Sequence, residues 1–292
     1  LVMNTALDIT PFGKEIINQY NLHFVGGMEH GMTAIGKAVW WHEKYRNRHL
    51  KKADPQPLEA PRLTDAEARG EWSEYKARNF LQANNIPVVP GKLAANAEEA
   101  AAAAKQFGFP VVLKIQSEDI PHKSDIGGVQ LNLSTEDEVK EAYRVILENV
   151  RKHAPASRLD GVLVSPMRPS GTELLVGIVR DPLWGLVMAV GIGGVFVEIF
   201  KDSSLRVLPV DKDEVKTMLE ELRGLPLLKG ARGRMPADLD RVAEVIYQIS
   251  RLALASGDQL EELEINPLWV RGDQAEALDA LIKWKESNKV PS

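Results

Sequence analysis

Residues 111–128 read Val-Val-Leu-Lys-Ile-Gln-Ser-Glu-Asp-Ile-Pro-His-Lys-Ser-Asp-Ile-Gly-Gly. The β-branched run Val111–Ile115 predicts a strand, and it carries one lysine, Lys114. A short loop follows and presents His122 between Pro121 and Lys123, beside Ser124, Asp125 and the Gly127-Gly128 pair. A lysine on a strand can hold a triphosphate as a point charge. A histidine on a glycine-flanked loop can accept a phosphoryl group on a ring nitrogen and carry it. Together they point to phosphoryl transfer through a histidine. Each residue also has a plainer reading: a strand-end lysine reaching water, and a surface histidine. Context separates them for His122, because Pro121 stiffens one side, the glycines free the other, and Asp125 can orient the ring.

Outward from this stretch, strands are predicted at Val129–Leu133, Gly161–Ser165, Glu173–Arg180, Leu186–Gly191, Leu205–Pro209, Leu260–Ile265, Leu268–Val270 and Ala275–Leu281. Thr64 with Glu67, and Thr135 with Glu138, fit capping boxes that open helices. Asn96 caps an alanine-rich helix, Ala97–Phe107, and Pro236 opens another, Ala237–Ala255. Near the start, the Gly26-Gly27 turn leads to a helix over Gly31–His49, with Met32, Ile35, Val39 and Trp40 on one face. Residues 51–63 hold three prolines among polar residues and read as a linker. Three parts result: 1–50, the linker 51–63, and 64–287, where helices and strands mix as α/β or α+β.

Composition narrows the function classes. The 292 residues are 44% hydrophobic and 26% charged, as expected of a globular chain with more than one domain. A formal net charge of −5 with scattered basic residues argues against nucleic acid as the main partner. The absence of cysteine excludes disulfides, thiolate metal sites and cysteine nucleophiles. No apolar run is long enough to span a bilayer and no leader pattern is evident, so no membrane partner is expected and a cytoplasmic location is. The opening Leu1-Val2-Met3 reads as the interior of a longer protein.

Further candidates lie downstream. Gly191-Ile-Gly-Gly194 is a glycine-rich turn whose amides could approach phosphates, or simply a tight turn. It is neither a Walker loop nor a dinucleotide fingerprint. Arg232, inside Gly230-Ala-Arg-Gly233, suits an anionic ligand, or is an exposed loop arginine. Glu264, Asn266 and Asp279 could be gathered by a hairpin; oxygen ligands of this kind suit magnesium held by nucleotide phosphates. The alternative is an Asn-Pro turn plus one edge carboxylate. The remaining five histidines have no metal-ligand spacing.

Taken as an ordered set, these motifs resemble a known family. Asn85-Ile-Pro-Val88, Val111-Val-Leu-Lys114-Ile115, His122-Lys-Ser-Asp-Ile-Gly-Gly-Val129, Gly161-Val-Leu-Val-Ser-Pro-Met167, Glu173-Leu-Leu-Val-Gly-Ile-Val-Arg-Asp-Pro182, Gly191-Ile-Gly-Gly194, Gly230-Ala-Arg-Gly233 and Glu264-Ile-Asn-Pro-Leu268 follow the motif order of the ATP-grasp domain of NDP-forming acyl-CoA synthetases, relatives of succinyl-CoA synthetase. Residues 1–50 look like the tail of the α/β CoA-ligase domain that precedes it in fused members. The resemblance implies an ATP-grasp fold of two α+β lobes closing on Mg·ATP. It implies the reaction ATP + carboxylic acid + CoA ⇌ ADP + phosphate + acyl-CoA, by way of an acyl phosphate and a phosphohistidine. On this resemblance His122 is the second histidine of the relay, with Lys114 and Arg232 beside it in catalysis. Lys114, Val164, Ser165, Met167, Glu173, Gly193 and Gly194 would bind ATP, and Asn266 and Asp279 would ligate Mg²⁺. The partners implied are ATP and ADP, the CoA-binding and first-histidine domains, and an oligomer in the full enzyme. Two rival readings are a carboxylate–amine ligase working by a direct acyl phosphate and a nucleotide-binding module without catalysis.

Overall fold

A computed structural model describes residues 2–4, 9–50, 63–64, 67–120, 123–193 and 202–285. Residues 51–62 of the expected linker 51–63, His122, and Gly194 with the residues to 201 lie outside that set. The chain divides into two compact units, Leu1–Asp54 and Pro55–Ser292.

In the first unit, strand β1 (Val2–Asn4) pairs in parallel with β2 (Phe24–Gly26). Helix α1 (Pro11–Gln19) joins them, with Thr10 Oγ1 accepting from the Gly13 amide as its cap. Helix α2 (Met28–Leu50) starts three residues earlier than predicted, directly after the Gly27 turn. Met32, Val39 and Trp40, expected on an apolar face of that helix, are more than half exposed in this unit.

The second unit is built on two antiparallel sheets. Strand β3 (Gly70–Glu71) and helix α3 (Glu74–Ala83) lead into the smaller one. It comprises β4 (Lys92–Ala94), β5 (Val111–Gln116), β6 (Val129–Leu133) and β7 (Gly161–Pro166), in the order β4-β7-β5-β6. Helices α4 (Ala97–Phe107) and α5 (Glu136–His153) cover one face. Ala100, Ala104, Val139 and Ile146 pack there against Val111, Leu113 and Ile115. The alanines let α4 lie close, and both caps form as predicted: Asn96 accepts from Glu99 N and Thr135 from Glu138 N.

The larger sheet runs β10-β9-β8-β11-β13-β3, with β12 paired to β11. It uses β8 (Thr172–Asp181), β9 (Gly185–Ile192), β10 (Ser203–Val207), β11 (Leu260–Arg271), β12 (Gln274–Ala277) and β13 (Ala280–Trp284). Helices α6 (Lys212–Glu220), α7 (Leu225–Leu228) and α8 (Leu239–Ala255) complete this lobe. The core of the lobe sets Val242, Ile246 and Ile249 of α8 with Leu174, Val176, Ile178 and Met188.

Several expectations are corrected. The Thr64–Glu67 pairing exists, Glu67 accepting from both Thr64 N and Oγ1, but a turn and then β3 follow rather than a helix. Helix α8 is capped by Asp238, because Ala237 is held in a bridge to Gly272. The two strands predicted over 260–270 are one, and the single strand predicted over Ala275–Leu281 is two. The cause is common to both: the β11 hairpin shifts register between Ile265 and Leu268, opposite the break at Leu278-Asp279. Irregularities of this kind re-aim side chains out of a pleat.

The chain crosses between lobes twice. On the first crossing, Val89 N donates to Ala277 O of the large lobe at 3.0 Å, and Lys92 already pairs with Val164 of the small one. On the second, Met167 N donates to Pro110 O of the small lobe at 2.9 Å, while Arg168 Nε meets Glu276 Oε2 of the large lobe at 2.6 Å.

Candidate functional site

Helix α3 carries the centre of the site. A cluster of Trp72, Phe80 and Trp284, with ring centroids 5.2–5.9 Å apart, seats the helix on β13. Ser73 makes no side-chain cap. Instead Gln116, at the end of β5, accepts from Tyr75 N at 2.9 Å, so the small lobe satisfies the helix start. Glu74, in the first turn, is thereby aimed at the seam between the lobes.

Glu74 is 2% exposed and gathers three cations. Its Oε1 accepts from Lys114 Nζ at 3.0 Å and Arg78 Nη1 at 3.4 Å; its Oε2 accepts from Lys123 Nζ at 2.8 Å. Lys114 Nζ also donates to Asp279 Oδ2 at 2.8 Å and to Leu278 O at 3.2 Å, which uses all three of its protons. Lys123 Nζ lies 3.9 Å from the other oxygen of Asp279. Arg78 donates onward to Ser165 Oγ at 3.3 Å and to Val89 O.

The cluster divides the two carboxyls. Burial pushes Glu74 up, but the fields of Lys114, Lys123 and Arg78 outweigh it and hold the group well below the usual carboxylate range. For Asp279, burial and then the Glu74 charge push the carboxyl up, and the two lysines offset this only in part. Burial lowers Lys114, yet Glu74 and Asp279 overcome that and raise it. Glu74 is thus a fixed anion and Lys114 a fixed cation, while Asp279 is the less firmly held partner.

Beside the cluster opens a cleft of about 410 Å³, whose lining includes Glu74, Lys123, Asp125, Glu264, Asn266 and Asp279. Asn266 Nδ2 donates to Glu264 Oε1 at 3.2 Å, and Asn266 N reaches Asp279 O at 3.3 Å. The register shift in β11 therefore does bring the three oxygen-bearing residues together. Among the described residues, no three His, Asp or Glu side chains group as metal ligands by themselves. A carboxylate, an amide oxygen and a neighbouring carboxylate still form a hard-oxygen donor set, the kind magnesium accepts when phosphates and water complete its shell.

The other sequence-derived residues lie apart from that cleft. Val164 is buried in β7, and the Ser165 hydroxyl is taken by Arg78. Met167 sits at the lobe crossing. Glu173 is exposed on β8, and its carbonyl accepts from Gly193 N at 2.7 Å. Arg232 lies in a 3-10 turn, Ala231–Gly233, with its side chain outside the described part. After His122 the chain doubles back: Gly128 N donates to Lys123 O and Gly127 N to Ser124 O. Gly127 has φ +67°, and a Cβ there would meet Asn149 Nδ2 at 2.6 Å, so glycine is required. Sequence reasoning missed Glu74, Arg78 and Gln116 and left Lys123 without a role. Only Lys123 had a signal, its place inside the histidine motif.

Comparison with known proteins places this geometry. A family model described as an ATP-grasp domain matches residues 64–283. The beta subunit of acetate–CoA ligase [ADP-forming] I from Pyrococcus furiosus is 42% identical over 207 residues, 71% of this chain and 89% of that subunit. Among solved structures, acetyl-coenzyme A synthetase 1 of Ca. Korarchaeum cryptofilum with coenzyme A and Ca-AMPCP aligns with TM-score 0.71 and 38% identity, covering 74% of this chain and 94% of that one. A second structure of that synthetase holds Mg-AMPPCP with its phosphohistidine segment pointing towards the nucleotide site; it aligns with TM-score 0.64 and 35% identity over 75% and 95% of the two chains. Both lobes, the crossing strands and the cleft fall inside the matched region, and the chain belongs to the ATP-grasp family, among the ADP-forming acid–CoA ligases.

Proposed function

We propose that this chain binds Mg·ATP between its lobes and passes the γ-phosphoryl group to His122, as the nucleotide half of an ADP-forming acid–CoA ligase. The observation that carries the reading is the Lys114–Asp279 contact across the lobes at 2.8 Å, with Lys123, the residue after His122, bonded into the same cluster. Phosphoryl transfer is mostly positioning and charge neutralisation. Lys114 supplies charge to the phosphates. Asp279 and Asn266, with Glu264 beside them, would hold magnesium, which when bound neutralises the phosphate oxygens. A ring nitrogen of His122 attacks the γ-phosphorus; the N–P bond forms as the bond to the β-bridging oxygen breaks, and ADP leaves. The backbone of Val164–Met167 serves the adenine, Glu173 the ribose or metal, and Gly193, Gly194 and Arg232 the phosphates.

His122 then gives its phosphoryl group to the first histidine of a CoA-binding partner, which forms acyl phosphate and thioester. That partner is a separate subunit or another part of a longer chain, and the full enzyme is an oligomer. Dependence on ATP and CoA supports a cytoplasmic location. Among the described residues, no helix is long and apolar enough to cross a membrane.

The test is γ-labelled ATP with Mg²⁺, scoring acid-labile, base-stable label on the chain, with the CoA-binding partner of a relative added in trans. Label on wild type and none on His122→Ala is the expected result. Turnover that survives His122→Ala would favour a direct acyl-phosphate ligase. ATP binding with no label under either condition would leave only a nucleotide-binding module.

A further inference from the structure

We infer that Glu74 is the positioning residue of the phosphate site, holding Lys114 and Lys123 side by side, and that Lys123 is a second lysine for the nucleotide's phosphates. The inference rests on the nucleotide reading of the cleft.

The two oxygens of Glu74 are divided between the two lysines: Lys114 on Oε1 at 3.0 Å and Lys123 on Oε2 at 2.8 Å. Both lysine side chains are only 15% exposed, and the side chain of Glu74 only 1%. Long flexible ammonium arms do not converge on one point in the interior without an anchor, because each gives up rotamer entropy and hydration to be there. The anchor is itself immobile. Gln116 satisfies the start of its helix and contributes a further contact to Oε2, while Arg78 ties Oε1 to Ser165 and Val89.

Charge sets the function. Within the cluster Arg78, Lys114 and Lys123 stand against Glu74 and Asp279, one positive charge in excess, while Asp125 and Glu264 add carboxylates to the wall of the cleft. A purely structural ion cluster is best balanced, since a surplus buried charge is costly. A lysine among carboxylates in a cleft suits a polyanion that arrives with a divalent cation. Lys123 lines that cleft directly, together with Asp279. Lys114 has no proton to spare while it bonds Glu74, Asp279 and Leu278 O. A phosphate therefore takes the place of a large-lobe contact, and Glu74 keeps both ammonium groups in register during the exchange.

The test uses the full chain and two probes: AMPPCP with magnesium, read by calorimetry, and adenosine, read by saturation-transfer NMR. Lys123→Met and Glu74→Gln should each weaken AMPPCP binding at least tenfold and leave the adenosine signal unchanged. The double variant should be within about threefold of the weaker single one, because both act on one unit. Wild-type AMPPCP affinity in Lys123→Met overturns the inference. So does a Glu74→Gln loss that appears equally with adenosine, or that multiplies fully with Lys123→Met. Should Glu74→Gln not fold, Lys123→Met decides alone. A Lys114→Met arm separates the two levels. If it too binds AMPPCP normally, the nucleotide reading itself fails. If it alone loses binding, only the roles given to Glu74 and Lys123 fail.

Discussion

Two ion clusters in the same unit differ in every respect but composition. At the sheet edge, Arg206 bonds Glu214 at 3.1 Å and Glu221 at 2.6 Å, and Ser204 joins them; these bonds span at most 17 residues. At the seam, Glu74 draws on Lys114 and Lys123, 40 and 49 residues on, and Lys114 reaches Asp279 across 165 residues. Among the described residues the first cluster sets the side chain of Arg206, 14% exposed, between Glu214 at 15% and Glu221 at 41%. The second turns on Glu74, its side chain 1% exposed, and joins three cations to two carboxylates. A cluster made from near neighbours in the chain is a staple that folding makes easily. A dry, unbalanced one assembled from distant segments is costly to form, and such clusters concentrate where a ligand uses them.

That contrast can be broken most directly at Glu74. Removing it in Glu74→Ala strands three cations and should cost about 3–5 kcal/mol by urea unfolding. A loss of about 2 kcal/mol or less would make the seam no different from the edge. The pH course sharpens the point. The folded-state pKa of Glu74 is depressed, so its contribution is full above the ordinary value of 4.5 and is lost as pH falls towards the folded value. The melting-temperature gap between wild type and Glu74→Gln should therefore stay constant from neutral pH down to about 5 and narrow below that. A gap that widens in acid would contradict the assignment.

A smaller effect is expected at the edge. Arg206→Met removes charged hydrogen bonds that water can partly replace, so about 1–2 kcal/mol is expected, with ATP binding unchanged. Weaker ATP binding in that variant would erase the functional half of the comparison. The smallest effect belongs to a site with no charge partner across the lobes. Asn96→Ala removes the cap of α4 and should cost about 1 kcal/mol, equally with and without nucleotide.

Much of the fold was legible because its signals are local. Val111–Ile115 is β-branched and buried, and Asn96 and Thr135 cap the helices they precede. Lys114 stood out because a charge inside an apolar strand needs a reason. Glu74 did not stand out. An acidic residue in a first helical turn is ordinary, and its partners are brought to it only by the closing of two sheets. The Thr64–Glu67 pair misled for a related reason: the cap formed, but the chain downstream was claimed by pairing with β13. The hairpin at Asn266 and Asp279 was legible as a meeting point, but not as a register shift, since that depends on which neighbouring strands compete for it.

The two lobe crossings set how the molecule can move. Only Pro90 and Gly91 lie between the contact at Val89 and the pairing at Lys92, and a single peptide separates the anchors at Met167 and Arg168. The two joints are neighbours: a Cβ on Gly91 would lie 2.8 Å from Ser165 Oγ. A pair of short joints acts as an axle. The sheets can swing about the line through them but cannot slide past one another. Travel then grows with distance from that line. Arg78 touches Val89 at the first joint, Ser165 in the strand leading to the second, and Glu74 as well. Glu74 and Arg78 therefore sit close to the axle, where any swing of the sheets displaces a side chain least.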